Sequence, residues 1–189
     1  MTKSDALKIL DELGNSKNMA NHGKAAGFAM ASLYDYFKSK GQNVELTKEA
    51  WEIVGLLHDA DYEKTDKSLE LHTEETTKLL KQTDVSQLVI DAIRGHCDKA
   101  PRNTLIAKSI YAVDELTGLI VACALVQPDK RLKSVTVESV LRKFKDKSFA
   151  AGANREQIKT CEIELNIPLE EFTSITLKSM QEKSEELGL

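Results

Sequence analysis

The chain has 189 residues, of which 41% are hydrophobic and 30% charged, and its formal net charge is -4 at pH 7. This balance excludes a disordered chain and provides no positive field to attract DNA or RNA, so a nucleic-acid partner is not expected. The longest apolar run, Leu119 to Val126, is far shorter than the roughly 20 residues that cross a bilayer, and the N-terminus has no secretory segment. We therefore expect a cytoplasmic protein with no membrane partner.

Apolar residues recur at helical spacing almost throughout the chain, which predicts an all-α fold. The pattern predicts helices over about 5–13, 18–39, 48–59, 71–81, from 84 to a break at 98–102, and then over 104–126, 136–145, 155–165 and 169–186. We predict a helical bundle over residues 1–127 and a C-terminal helical extension over residues 128–189 that packs on the same domain. Amphipathic helices with few aromatic residues are also compatible with a homodimer.

The four histidines of the chain all lie on predicted inward faces or at helix ends. One such histidine is more often a hydrogen-bonded core residue than a metal ligand. Four of them in the same part of the chain, with two inward carboxylates, favour a metal site. The candidate ligands are His22, His58, Asp59, His72, His96 and Asp114.

Asp114 is the carboxylate most in need of a partner, because it interrupts the most apolar predicted helix. The residues three and four positions away are Ile110, Tyr111, Thr117 and Gly118, so no cation on the same helix can pair with it. Imidazole and carboxylate together suit Mn, Fe, Co, Ni or Zn. Gly118 either leaves room beside the carboxylate or serves a helix-packing contact.

The candidate ligands follow one another along the chain in the order His, His-Asp, His, His and Asp. This order resembles the HD superfamily of metal-dependent phosphohydrolases over about residues 18–126, and so do the segments LLHDADY, LHTEETTKLL and VIDAIRGH. The resemblance implies an HD-domain-like helical bundle whose first metal is held by His22, His58, Asp59 and Asp114. In members that also carry the two middle histidines, the equivalent of Asp59 bridges to a second metal, here held by His72 and His96. In members with one metal, these two positions face the phosphate or its leaving group. The sequence does not separate the two cases, although we favour two ions.

The implied activity is hydrolysis of a phosphomonoester or phosphodiester of a small metabolite or nucleotide by a metal-activated water, with Asp59 central to catalysis. Arg94 is the first candidate for a phosphate contact, ahead of Lys64, Lys99 and Arg102. Asp61 is a candidate general acid or base, a partner that orients a ligand histidine, or a turn residue. The alternatives are a mixed-valent di-iron oxygenase of the same superfamily and a non-catalytic regulatory module.

Overall fold

The regular secondary structure is entirely helical in a computed structural model that describes residues 1–189, which confirms the predicted all-α class. A short 3-10 helix, Leu132–Ser134, lies between the sixth and seventh α-helices. The α-helices are α1 (Lys3–Glu12), α2 (Lys17–Ser39), α3 (Lys48–Leu57), α4 (Glu74–Leu80), α5 (Gln87–Gly95), α6 (Leu105–Leu125), α7 (Val137–Lys145), α8 (Arg155–Glu164), α9 (Leu169–Glu182) and α10 (Ser184–Leu187). None of them combines the length and the apolarity that crossing a membrane requires.

Most helices begin at a side chain that accepts a hydrogen bond from a backbone amide of the first turn. Ser16 accepts from the amide of Met19 at the start of α2, and Thr104 accepts from Ala107 at the start of α6. Such caps satisfy amides that have no partner within the helix, and each contributes about 1 kcal/mol. The caps fix where α2 and α6 begin, and therefore help to set the positions of the ligands that these helices carry.

The fourth helix begins later than predicted. Helical spacing predicted a start at Leu71, but α4 begins at Glu74, because Thr73 has a left-handed backbone conformation with φ of 68° and cannot continue a helix. The predicted helix over 169–186 is likewise interrupted at Lys183, with φ of -114° and ψ of 19°. These local departures leave the predicted order of helices intact.

Three glycines let α2 and α3 cross in close contact, which brings His22 beside His58. A Cβ atom at Gly55 would lie 2.4 Å from the backbone nitrogen of Gly27. A Cβ atom at Gly23 would lie 2.6 Å from the carbonyl oxygen of Leu56. Only residues without a Cβ permit this approach, so these glycines help to define the geometry of the site.

Replacing Gly55 with alanine is therefore expected to lower the free energy of unfolding by about 3 kcal/mol, because the methyl group would overlap the backbone of α2. The matched control is Gly118→Ala in α6, where no atom lies within 4 Å of an added Cβ. Alanine at Gly118 is expected to raise stability by up to about 1 kcal/mol, since glycine is a poor helix former. Urea unfolding of both variants measures the two effects, and a Gly55→Ala variant as stable as wild type would contradict this account of the crossing.

The C-terminal helices pack on the bundle that carries the candidate ligands. Helix α8 packs against α6, and α9 packs against both α2 and α6. One hydrophobic core includes buried residues from both parts of the chain, among them Leu116 of α6, Ile158 of α8 and Phe172 of α9. Residues 128–189 therefore share a core with residues 1–127.

Candidate metal centre

Six candidate ligands from separate parts of the chain meet at one end of the bundle. His22 lies in the second turn of α2, and Asp114 lies in the middle of α6. His58 and His96 are the residues at which α3 and α5 end, and His72 lies in the turns before α4. Placing three of the histidines in turns or at helix ends leaves their rings free to point towards one another.

The first group of ligand atoms has the spacing expected around a metal ion. His22 Nε2 lies 3.1 Å from His58 Nε2 and 3.1 Å from an oxygen of Asp114. His58 Nε2 is 3.3 Å from the same Asp114 oxygen, and Asp59 Oδ2 is 3.5 Å from His22 Nε2. Ligands held about 2.1 Å from a metal in tetrahedral or octahedral geometry are about 3.0–3.5 Å from their neighbours. These four side chains therefore fit one metal ion.

A second group forms around the other oxygen of Asp59. His72 Nε2 and His96 Nε2 lie 2.9 Å apart, and each is 3.1 Å from Asp59 Oδ1. The two oxygens of Asp59 therefore face different sets of nitrogen ligands. Cys97 also has its sulfur within 4.8 Å of the ligand nitrogens of His72 and His96, although burial raises the pKa of its thiol and opposes the thiolate form.

Hydrogen bonds fix the orientation of three of the rings. The Nδ1 atom of His58 is 2.8 Å from the carbonyl oxygen of Gly55, His96 Nδ1 bonds the carbonyl of Ile93, and His72 Nδ1 is 3.1 Å from Asp61 Oδ1. Carbonyl and carboxylate oxygens only accept, so each Nδ1 carries the hydrogen. The Nε2 lone pairs therefore face the carboxylate oxygens and one another. Only a cation or an added proton relieves this repulsion, and the donor set fits a divalent metal.

Without a metal, protons provide the missing positive charge. Burial opposes protonation of His22, but hydrogen bonds to Asp114 and Asp59 outweigh burial and raise its pKa to about 10. Burial has the same opposing effect on His72, whose pKa rises to about 9 through hydrogen bonds to Asp59 and Asp61. The pKa values of Asp59 and Asp114 are lowered despite burial, mainly by the charge of His58 and by hydrogen bonds to histidine. The cluster therefore favours bound cations.

Asp61 supports the second group from behind. Its side chain is fully buried, and it accepts hydrogen bonds from His72 Nδ1 and from the backbone amides of Thr73 at 2.8 Å and Thr76 at 3.0 Å. It therefore orients a ligand histidine and also satisfies amides at the start of α4. Asp61 does not line the cavity described below, so a direct role as general acid or base, one of the sequence predictions, has no support in this geometry.

Replacing Asp61 with alanine is expected to lower the free energy of unfolding by about 3 kcal/mol, because two buried amides and one imidazole lose their acceptor. Metal binding by the group of His72, His96 and Asp59 should weaken, since His72 loses the partner that orients it. The matched control is Asp11→Ala at the exposed end of α1, which should change stability by less than about 0.5 kcal/mol. An Asp61→Ala variant that binds as much metal as the wild type would contradict the orienting role.

The ligand groups open into a cavity of about 510 Å³. Its wall contains four carboxylates, those of Asp59, Asp98, Asp114 and Glu115, and neither lysine nor arginine. The neutral polar groups in the wall include the side chains of Tyr62, Tyr111 and Gln157. Gln157 comes from α8 in the C-terminal segment, and its side chain donates to the carbonyl of Tyr111 at 2.9 Å. No periodicity in the sequence indicates that Gln157 reaches the site.

None of the basic residues predicted to contact phosphate lines the cavity, but Arg102 pairs with Asp98 and lies over the ring of Tyr111, which are both in the wall. Arg94 donates to Glu74 at 3.0 Å and to Thr77 at 3.2 Å, and it does not line the cavity. Arg94 therefore pairs with neighbouring side chains outside the cavity, and its contact with a phosphate stays a prediction. Lys99 donates to the carbonyl of His72, and Arg102 donates to the carbonyl of Gly95. Both stabilise the chain around the ligand histidines, while Lys64 is exposed and outside the wall.

A helical bundle that gathers four imidazoles and two carboxylates around one cavity defines a metal-binding class of protein. A family model described as HD domain matches residues 9–119, more than half of the 189-residue chain. The chain therefore belongs to the HD domain family, and with it to a superfamily of metal-dependent hydrolases. No curated protein and no solved structure matches the chain significantly.

Proposed function

We propose that this protein is a binuclear metal-dependent phosphohydrolase that acts on the phosphoester of a small molecule. The observation that carries the proposal is the division of Asp59 between two ligand groups, with Oδ2 3.5 Å from His22 Nε2 and Oδ1 3.1 Å from both His72 Nε2 and His96 Nε2. A carboxylate in this position would bridge two ions if both ligand groups were occupied. The membership of the chain in the HD domain family supports a metal-dependent hydrolase with either one or two ions.

The carboxylates of the cavity favour bound cations. Of the four in the wall, Asp98 pairs with Arg102, while Asp59, Asp114 and Glu115 form no ion pair with lysine or arginine. Divalent ions would offset the charge of these unpaired carboxylates and attract a phosphoryl group. Bound divalent ions lower the pKa of a coordinated water and offset charge on the phosphoryl oxygens.

Residues of the chain orient the candidate metal ligands and provide hydrogen-bonding groups in the cavity wall. Asp61 and the carbonyls of Gly55 and Ile93 keep the ligand nitrogens directed into the site. The phenol and amide groups of Tyr62, Tyr111 and Gln157 are neutral hydrogen-bond partners in the wall for the rest of the substrate. These groups bind and position the substrate, while the ions provide the positive charge that the wall lacks.

The test is metal quantification after aerobic and anaerobic purification, followed by phosphate-release assays with Mn²⁺, Fe²⁺, Co²⁺, Ni²⁺ or Zn²⁺. The substrates are p-nitrophenyl phosphate for monoesters and bis(p-nitrophenyl) phosphate for diesters. Two ions per chain and metal-dependent release of nitrophenol are expected. A protein that binds two ions and hydrolyses neither ester would contradict the proposal.

One observation favours a second candidate, a di-iron oxygenase. The second ligand group consists of two histidines and one carboxylate, His72, His96 and Asp59, and this combination is typical of non-haem iron oxygenases. The same purification distinguishes the two functions. Two bound irons with consumption of oxygen and no release of phosphate would favour the oxygenase.

A further inference from the structure

A second cavity of about 470 Å³ adjoins the metal cavity. The two cavities share His22 and Gly118 in their walls, so they meet beside a metal-ligand candidate. The second cavity lies between the first turns of α2, the C-terminal half of α6 and the residues around Leu187. A molecule bound at the metal centre therefore has a second space into which it can extend.

The α6 side of this space is a continuous stripe that begins at the metal centre. Gly118, Val121 and Leu125 follow Asp114 at intervals of four, three and four residues, which places all four on one face of the helix. Val121 is half-buried, and 51% of Leu125 is exposed. Ala25 of α2 and Leu187 add further apolar surface. The wall thus combines this apolar stripe with polar side chains, namely those of Lys17, Asn18 and Asn21.

Gly118 has no packing role to explain its presence in the middle of a helix. Gly23 and Gly55 each lie where an added Cβ would be within 2.6 Å of the neighbouring helix, but nothing lies within 4 Å of a Cβ added at Gly118. Glycine weakens a helix relative to alanine. The one structural consequence of glycine here is open space between the two cavities.

The linings of the two cavities suit different parts of one molecule. The candidate metal ligands lie in the first cavity, where bound ions would hold a phosphoryl group. The second cavity contains one basic side chain, Lys17, and apolar surface from Ala25, Val121, Leu125 and Leu187. It therefore suits a mainly apolar part of the same molecule.

We propose that the second cavity binds the organic group of the substrate, and that the substrate is a phosphoester of a predominantly apolar organic group. Gly118 keeps the passage between the two parts open. This inference rests on the proposed phosphohydrolase function, because it assumes that the phosphoryl group is held at the metal centre. It predicts that ligands with a larger apolar group bind more tightly, and that this preference depends on the size of the side chain at position 118.

The experiment compares two phosphonates that cannot be hydrolysed, methylphosphonate and phenylphosphonate, by calorimetric titration of the Mn²⁺-loaded full chain. Phenylphosphonate is expected to bind at least tenfold more tightly than methylphosphonate, because its ring becomes buried against the apolar wall. In Gly118→Leu the added side chain fills the passage, and the ratio of the two dissociation constants should fall below twofold. Val121→Asn, outside the metal cavity wall, should reduce the ratio as well, because it makes the wall polar.

The matched control is Gly152→Leu, because Gly152 also has no atom within 4 Å of an added Cβ and lines neither cavity. It should keep the wild-type ratio. Metal content and circular dichroism verify that each variant is loaded and folded. Equal affinities of the two phosphonates for the wild-type protein would overturn the inference, even if that protein hydrolyses p-nitrophenyl phosphate. A preserved preference without any turnover would instead contradict the hydrolase function and leave the cavity assignment standing.

Discussion

Replacing Asp59 with asparagine is expected to reduce phosphate release by at least about 1,000-fold and the metal content from two ions to fewer than one per chain. The carboxylate oxygens of Asp59 lie in both ligand groups. An amide has nearly the same shape but no charge, and its nitrogen cannot ligate a cation, so both sites are weakened at once. Metal quantification and a p-nitrophenyl phosphate assay measure the two effects.

The matched control is Asp66→Asn in the connection that follows Asp59. Asp66 is exposed and has φ of 50°, a conformation that asparagine tolerates as well as aspartate. Its metal content and activity should match those of the wild type, and both variants should retain their helical circular dichroism. An Asp59→Asn protein with two ions and full turnover would refute the site.

Removal of the metal is expected to make the free energy of unfolding fall as the pH rises above neutrality. In the metal-free protein the pKa values of His22 and His72 are raised to about 10 and about 9, above the value near 6.5 in an unfolded chain. Their contribution to stability is therefore complete below pH 6.5 and is lost as the pH rises to 9 and 10. Over that range the free energy of unfolding should fall by about 1.4 kcal/mol per pH unit for each histidine protonated only in the folded state.

The metal-loaded protein should not show this fall, because a bound divalent ion replaces the protons and is favoured by their loss. The destabilisation caused by chelation should therefore be larger at pH 9 than at pH 6.5. Urea unfolding with and without a chelator at both values measures the difference. Calorimetry in buffers of different ionisation enthalpy should also detect proton release when metal binds at pH 7. Equal effects of chelation at both values would contradict the proposed exchange of protons for metal.

The helices were predictable because their caps and apolar faces are local features of the sequence. The start of α4 was not, since it depends on Asp61, whose carboxylate accepts from the amides of Thr73 and Thr76 after an intervening series of turns. Helical spacing detects residues on one face but not a hydrogen bond between a turn and a distant helix end. The sequence therefore predicted that α4 exists but placed its start three residues too early.

The ligands of the candidate site were predictable from their chemistry and order, whereas much of the cavity wall was not. Arg94 was chosen for its closeness in sequence to His96, but residues two apart on a helix point in nearly opposite directions, and the arginine pairs with Glu74 instead. Gln157 reaches the wall from α8, through the packing of α8 on α6. Contacts of this kind depend on tertiary packing that a linear pattern does not contain.

Asp61 links metal binding by the second ligand group to the folding of α4. The same carboxylate that orients His72 also accepts the amides at the beginning of α4. Fraying of α4 therefore disturbs the second ligand group, and an ion held there opposes the fraying. In the proposed two-ion form, occupancy of the second position and local folding of α4 would be thermodynamically coupled, so that melting of one short helix would favour release of the second ion.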